Sequence, residues 1–197
     1  MSARWGLALA LLGLSAACSN DPYAPEPPGE KVLYSSFTEA PRTLDPATAY
    51  TTVSHSITGV VYDTLLKYHF LKRPLELMPG LATSLPEVED LGEGRSRYRF
   101  ALREGLLFAD DPCFALGTPG ASTREVVMGD VAFQLMRLAD PKVGSPVIEP
   151  FANIDGFAAF GEALVARREA DEAFAARPVH EQYEALGGIR GLATPTP

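Results

Sequence analysis

The sequence is poor in the side chains that most often build metal and catalytic centres. Its 197 residues include two cysteines and three histidines. The histidines at 55, 69 and 180 are far apart, and the sequence has no His-x₃-His or Cys-x₂-Cys spacing, so surface or core histidines are favoured over a metal site. Gly-x-Ser-x-Gly, His-Glu-x-x-His and phosphate-loop motifs are also missing, which argues against an enzyme.

Basic residues are fewer than acidic ones. Lys and Arg number 17 and Asp and Glu number 25, which gives a net charge of −8. Nucleic-acid partners are therefore disfavoured, because phosphate contacts need clustered cations. Hydrophobic residues make up 46%, enough for a buried core, and the 17 glycines and 17 prolines indicate many turns.

The N-terminus has an apolar run that is too short to span a membrane. Gly6–Leu14 follows Arg4 and precedes small residues, as in a secretory signal peptide with its core of roughly 7–15 apolar residues. Residues 1–17 are therefore predicted to be a signal peptide. The stretch LSAAC resembles the lipobox of bacterial lipoproteins, although Ser15 stands where leucine is commoner. The resemblance implies that Cys18 carries lipid on its sulfur, with simple cleavage near Ala17 as the alternative.

Residues 18–31 are rich in proline and small polar side chains, and they predict an extended tether between a membrane and a folded domain. The expected location is the periplasm or cell envelope. Ser19 after the anchor cysteine favours the outer membrane if the host is Gram-negative. A lipidated Cys18 would leave Cys113 unpaired, and a buried, inert thiol is favoured over pairing with an absent partner.

Strands are predicted from two patterns. The apolar run Val32–Tyr34 fits a buried strand, and the alternation from Arg97 to Arg103 fits a strand with one apolar and one basic face. Glu104-Gly105 then makes a turn. Residues 76–90 are predicted to be a loop, and 187–197 to begin another strand.

Helices are predicted from apolar residues at intervals of three and four. The first spans about Ser54–His69, with Ile57, Val61, Leu65 and Tyr68 on one face and Thr51, Thr52 and Ser54 as candidate N-caps. The second spans 124–139 and is stopped by Asp140-Pro141. The third spans about Phe157–Ala176. Strands and helices alternate, which favours the α/β class.

The adjacent acids Asp110 and Asp111 precede Pro112 and Cys113, and they raise the question of a catalytic carboxylate pair beside a thiol. Successive side chains of an extended chain point in opposite directions, so neighbouring carboxylates make poor acid–base partners. The pattern therefore favours a scaffold role for this stretch.

Five stretches in a fixed order resemble the extracytoplasmic solute-binding proteins of ABC importers, in the large family 5 group that includes oligopeptide- and dipeptide-binding proteins. They are TEAPRTLDPATAY (38–50), VVYDTLLKY (60–68), PGLATSL (79–85), YRFALREGLLFADD (98–111) and DVAFQLMRLADP (130–141). The resemblance covers roughly Val32–Pro146, with a weaker trace to Gly191. It implies a type II periplasmic-binding-protein fold, of which 32–197 would form the N-terminal part of lobe I.

The resemblance also implies a function. Such proteins capture peptide-like solutes and deliver them to ABC permease subunits, without a catalytic residue or cofactor of their own. The loop that lines the cleft in the family maps onto Phe37, Thr38, Glu39 and Ala40, and the segment Val147–Phe151 is a second candidate. Nickel complexes or haem, which some relatives carry, remain alternatives to peptide.

Two departures from the family pattern affect these expectations. Asp111 stands where the family usually has glycine after Phe-x-Asp. The second lobe of the relatives has no counterpart in the sequence, so the chain is expected to be a fragment or a truncated product that binds ligand weakly or not at all. The alternative function is a non-transport lipoprotein that acts as an interaction or adhesion module, with the 157–176 helix as its surface.

Overall fold

The computed structural model describes residues 28–29 and 31–194, and the chain divides into two compact units, Met1–Thr38 and Glu39–Pro197. The predicted signal peptide, Cys18 and most of the tether lie outside the described residues. In the described part of the chain, no helix combines the length and the apolar character that crossing a membrane requires.

The predicted strand at Val32–Tyr34 is wrong. Residues 31–37 are irregular, and Leu33 is 91% exposed. A strand exists where a neighbouring strand pairs with its backbone N–H and C=O groups, so an apolar run alone does not make one.

Helix α1 spans Thr52–Val61 and starts as predicted at a threonine. Thr51 is the N-cap, and its hydroxyl accepts a hydrogen bond from the Ser54 amide at 3.2 Å. The helix is shorter than predicted, because Tyr62 is already extended and Leu66–Tyr68 forms strand β1. Placing Leu65 and Tyr68 on the helix was therefore wrong: cross-strand pairing outweighs the helical spacing there.

Strand β1 pairs antiparallel with β2, Leu77–Pro79, in a stretch that was predicted to be loop. Strand β3, Glu87–Gly92, pairs antiparallel with β4, Arg95–Arg99, which lies earlier than the predicted strand. Their two-residue turn has positive φ at both Glu93 (53°) and Gly94 (72°), the conformation that tight hairpins favour.

Two isolated bridges among the described residues lie outside these hairpins. Ala82 pairs with Leu102, and Leu107 pairs with Glu125. The predicted turn at Glu104-Gly105 is present, with Gly105 at φ 69°. The fold mixes helix and strand as expected, and its two described sheets are antiparallel, two-stranded hairpins.

Four further helices follow: α2 (Met128–Ala139), α3 (Phe157–Ala170), α4 (Glu172–Ala175) and α5 (Val179–Ala185). Helix α2 ends before Asp140-Pro141, as predicted. The predicted 157–176 helix is interrupted at Asp171, whose side chain caps α4 by accepting from the Phe174 amide at 3.0 Å. Helix α5 was not predicted.

The predicted C-terminal strand is wrong over residues 187–194. Gly187 and Gly188 have positive φ, and the Gly188 amide donates to the Tyr183 carbonyl, which closes the end of α5. Ile189 then turns inward and is 2% exposed.

The hydrophobic core lies among the helices. Its most buried members are Leu138, Phe157, Phe160, Leu164, Phe174, Tyr183 and Ile189. The Tyr183 ring meets Phe160 edge-on at 5.5 Å between centroids. Full burial of one such side chain contributes roughly 1.5–3 kcal/mol, so the helical half holds most of the apolar stabilisation of the described fold.

Helices α2 and α3 approach each other closely at Gly161. A Cβ atom at this position would lie 2.5 Å from the Ala139 carbonyl oxygen. The absence of a side chain is therefore required at this crossing.

A buried carboxylate joins three of the helices. Asp140 is 2% exposed and accepts two hydrogen bonds from the Arg168 guanidinium, at 2.6 and 2.7 Å. It also accepts from the Tyr183 hydroxyl at 2.9 Å and the Lys142 amide at 2.9 Å. The end of α2 is thus bonded to α3 and α5.

Gln182 completes this network. It accepts from Arg168 Nε at 2.7 Å and donates to the Arg177 carbonyl at 2.7 Å. Burial alone would raise the pKa of Asp140, but the hydrogen bonds from Arg168, the Lys142 amide and Tyr183 outweigh burial and hold that pKa below its usual range.

Replacing Arg168 by leucine leaves the Asp140 carboxylate buried without its cation. We expect Arg168→Leu to lower the free energy of unfolding by about 3–5 kcal/mol, the usual cost of breaking a buried ion pair. Urea denaturation followed by circular dichroism measures this loss. The adjacent Arg167 is the matched control: its side chain is 53% exposed in its pair with Asp171, and Arg167→Leu should cost at most about 1 kcal/mol. Equal losses would contradict a special role for Asp140.

The lowered pKa of Asp140 also predicts how stability depends on pH. A carboxyl with a lower pKa in the folded chain stabilises the fold above its unfolded pKa, about 3.9, and this contribution is lost as the pH falls through the folded value. The difference in unfolding free energy between the wild type and Asp140→Asn should be constant near neutral pH and shrink below about pH 4. A difference that stays constant in acid would contradict this assignment.

Candidate functional site

The four residues predicted to contact ligand are all exposed. Phe37 is 57% exposed, and the backbone from Phe37 to Ala40 is irregular. Phe37 and Thr38 belong to the first compact unit and Glu39 and Ala40 to the second. Neither of the two grooves described below is lined by them, so their role as ligand contacts stays a prediction.

The Leu44-Asp45-Pro46 corner follows this loop. The Asp45 carboxylate accepts a hydrogen bond from the Ala47 amide at 3.1 Å, and the Asp45 amide donates to Thr43 Oγ1 at 3.1 Å. These bonds fix the turn, because an aspartate side chain that accepts from the amide two residues later replaces a backbone hydrogen bond.

A second interaction at the corner was not predicted. Arg137 on α2 donates to both carboxylate oxygens of Asp45, at 3.0 and 2.5 Å, across 92 residues of sequence. The Arg137 hydrogen bond lowers the pKa of Asp45 and outweighs the opposing effect of burial. The corner is thus fixed to the helical core, although nothing local in the sequence points to the pair.

Asp110 and Asp111 have separate hydrogen-bond partners. Asp110 accepts from the Ser122 hydroxyl at 2.8 Å. Asp111 accepts from the Cys113 amide at 2.8 Å and caps the 3₁₀ helix Pro112–Leu116. The two carboxylates therefore have the scaffold role that was predicted for this stretch.

Cys113 was predicted to be buried, and that prediction is wrong. The thiol is free and exposed. Its position in the first turn of an exposed 3₁₀ helix keeps it out of the core. Hydrogen bonding to the Asp111 carboxylate raises the pKa of the Cys113 thiol, because the thiolate has no proton to donate and would lie next to a negative charge.

Two open grooves lie in the helical half. The first, of about 430 Å³, runs beside α3 and is apolar apart from Glu162 and Glu169. The second, of about 540 Å³, lies between α2 and α5 and includes Tyr183, His180 and Glu184 in its lining. No group of three potential metal ligands occurs among residues 28–29 and 31–194.

The second candidate ligand segment, Val147–Phe151, lies next to the first groove. Val147 and Phe151 pack against the core, and the Phe151 ring stacks on Phe157 with centroids 6.4 Å apart. Ile148 is the member of this segment that lines the groove. The packing of Val147 and Phe151 gives them a structural role.

No family model matches the chain, and no curated protein matches it. Solved structures that match part of it include the pheromone receptor PrgZ, described with its mode of peptide binding, at 25% identity over 61% of this chain and 20% of that chain, with a TM-score of 0.45. The murein tripeptide binding protein MppA of Escherichia coli matches at 24% identity over 62% of this chain and 21% of its own, with a TM-score of 0.44.

These neighbours are peptide-binding proteins, and the chain spans about a fifth of the length of each. With TM-scores below 0.5, the superpositions decide neither the family nor the function of this chain.

The contact between Asp111 and Cys113 predicts a change in thiol reactivity. In a Cys18→Ser background, Asp111→Asn should speed alkylation of Cys113 by maleimide at neutral pH by roughly threefold, because losing the neighbouring charge increases the thiolate fraction. Asparagine can still cap the 3₁₀ helix. Stopped-flow alkylation measures the rate.

Asp110→Asn is the matched control for this experiment. Asp110 carries the same charge one residue away but bonds Ser122 instead. An equal acceleration in both variants would assign the effect to general charge and not to the Asp111 contact.

Proposed function

We propose that this chain takes part in capturing a peptide-like solute in the cell envelope for delivery to ABC permease subunits. In this proposal the described residues supply part of one lobe of a two-lobed protein, and closure of the lobes holds the solute. The chain performs no reaction. Lipid on Cys18 would hold it on a membrane, the outer membrane in a Gram-negative host.

The observation that supports the proposal best is that the five family-like stretches contact one another in two groups, the first with the fifth and the second with the third and fourth. Arg137 in the last stretch bonds Asp45 in the first. The amide of Leu81 in the third donates to the Thr64 carbonyl in the second at 2.9 Å, and the amide of Arg103 in the fourth donates to the Leu81 carbonyl at 3.0 Å.

These contacts link stretches that were recognised separately along more than half of the chain. The contacts therefore support the interpretation that the stretches within each group are parts of a common scaffold.

The carboxylates that could suggest catalysis have structural partners. Asp45 is paired with Arg137, Asp110 with Ser122 and Asp111 with the Cys113 amide. These hydrogen bonds give each of the three carboxylates a use in holding a turn, a helix start or a contact between segments.

The proposed ligand residues Phe37–Ala40 are all exposed, whereas binding sites for small molecules usually enclose roughly 70–90% of the ligand surface. Affinity of this chain for peptide is therefore expected to be low, and calorimetric titration with peptides should detect no micromolar binding. A test of the function must consequently detect weak contacts.

Photo-crosslinking provides such a test. With Glu39 replaced by p-benzoylphenylalanine, irradiation with a mixture of short peptides should give covalent peptide adducts, because this loop is proposed to line the cleft. The control carries the same photoreactive residue at Leu116, which is 91% exposed and lies on the 3₁₀ helix. Mass spectrometry should find adducts at 39 well above those at 116.

Equal adduct yields at the two positions, or none at 39, would contradict a peptide-binding loop. They would favour the alternative of an interaction or adhesion module. The open apolar groove beside α3 is the feature that such a module would use.

A further inference from the structure

The tip of the β1–β2 hairpin, residues 69–76, exposes large apolar side chains. Phe70 is 79% exposed, Leu71 is 71% exposed and Leu75 is 60% exposed. The His69 amide donates to the Glu76 carbonyl at 2.8 Å and closes the loop beyond the strands. The apolar side chains thus project from a closed, protruding turn.

Hydrogen bonds within the tip hold its shape. Arg73 Nη1 donates to the Phe70 carbonyl at 3.2 Å and to the Lys72 carbonyl at 2.8 Å. The His69 and Phe70 rings stack with centroids 5.8 Å apart. The exposure of the apolar side chains is therefore a property of an ordered loop.

The hairpin carries positive charge in an acidic chain. Between Leu66 and Pro79 it has three cations, Lys67, Lys72 and Arg73, and one acid, Glu76, whereas the whole chain has a net charge of −8. Lys72 pairs with both oxygens of Glu76 at 2.8 Å. Within the described residues, Lys67 and Arg73 form no ion pair.

Other exposed apolar residues have different surroundings. On the β3–β4 hairpin, Arg97 and Arg99 both pair with Glu89, at 3.1 and 2.9 Å. Leu116 follows the acids Asp110 and Asp111 in the sequence. The β1–β2 hairpin instead combines exposed apolar side chains with two cations, Lys67 on β1 and Arg73 at the tip, that form no ion pair within the described residues.

We propose that the hairpin tip is a contact site for an anionic lipid surface. Phe70, Leu71 and Leu75 would enter the interfacial layer of the bilayer. Lys67, Lys72 and Arg73 would bind the phosphates of the head groups, as basic residues beside apolar anchors do in peripheral membrane proteins.

The size of the patch favours lipid over a protein partner. A specific protein interface buries about 800 Å² on each side, more than three apolar side chains on a protruding turn supply. A membrane contact can be smaller, because the attraction of basic side chains to anionic head groups adds to the burial of apolar area. The inference rests on the hairpin alone and requires neither lipid on Cys18 nor peptide binding.

The test places the only tryptophan of the full chain at the tip. Trp5→Phe and Cys18→Ser remove the native tryptophan and the candidate lipid site, and Phe70→Trp introduces the reporter. With vesicles of phosphatidylglycerol and phosphatidylethanolamine, its emission should shift to the blue and be quenched by lipids brominated on their acyl chains. Vesicles of phosphatidylcholine alone should give a smaller shift.

The same background with Leu116→Trp is the positional control and should show no shift, because that residue is 91% exposed away from the hairpin. Two charge variants of the reporter should act in opposite directions. In the double variant Lys67→Gln, Lys72→Gln, the concentration of anionic lipid that gives half of the emission shift should rise several-fold. In Glu76→Gln, that concentration should fall.

No blue shift at position 70, an equal shift at 116, or no response to the charge variants would overturn the proposal. The emission of the tryptophan at position 70 could also be blue-shifted without vesicles, and more so at high protein concentration. That result would indicate that the tip contacts a second copy of the chain, and it would overturn the proposal as well.

Discussion

The folded helical half depends on one buried carboxylate. Asp140 lies at the end of α2 and accepts hydrogen bonds from Arg168 of α3 and Tyr183 of α5. A charged group with 2% exposure is tolerated because each side of the carboxylate has a donor. The aromatic core packs around the Tyr183 ring, so the polar network and the apolar core share a residue. The network thereby determines how the three helices are arranged, and the core supplies most of the stabilisation.

Local signals in the sequence predicted local structure well. The Thr51 cap, the stop at Asp140-Pro141, the turn at Gly105 and the helix from Phe157 all depend on residues close in the chain. Predictions of strands were less successful, because a strand depends on a pairing partner elsewhere in the chain. Leu65 and Tyr68 continue the helical spacing of Ile57 and Val61, but Leu66–Tyr68 pairs with β2. Val32–Tyr34 has a strand composition without forming a strand. Helix α5 has apolar residues at Val179, Tyr183 and Leu186, at intervals of four and three, but it is only seven residues long.

The same division applies to the candidate site. The Asp45 corner follows from its own residues, because the aspartate bonds the amide two positions later. Its pair with Arg137 joins residues 92 positions apart, and Asp140 and Tyr183 are 43 apart, so no spacing rule reveals either contact. The exposure of Cys113 likewise depends on the fold around it. The alternation of side chains in an extended chain predicted a scaffold role for Asp110 and Asp111. Ligand residues at Phe37–Ala40 depend on a cleft that the described residues do not enclose.

The glycine at the α2–α3 crossing has a consequence beyond its own contact. Since any side chain at 161 would collide with the Ala139 carbonyl, the two helices would have to separate by a fraction of their diameter. Ala139 immediately precedes Asp140, so this separation would admit water beside the carboxylate and weaken its bond to Arg168. The absence of a side chain at Gly161 therefore helps to exclude water from the ion pair between Asp140 and Arg168.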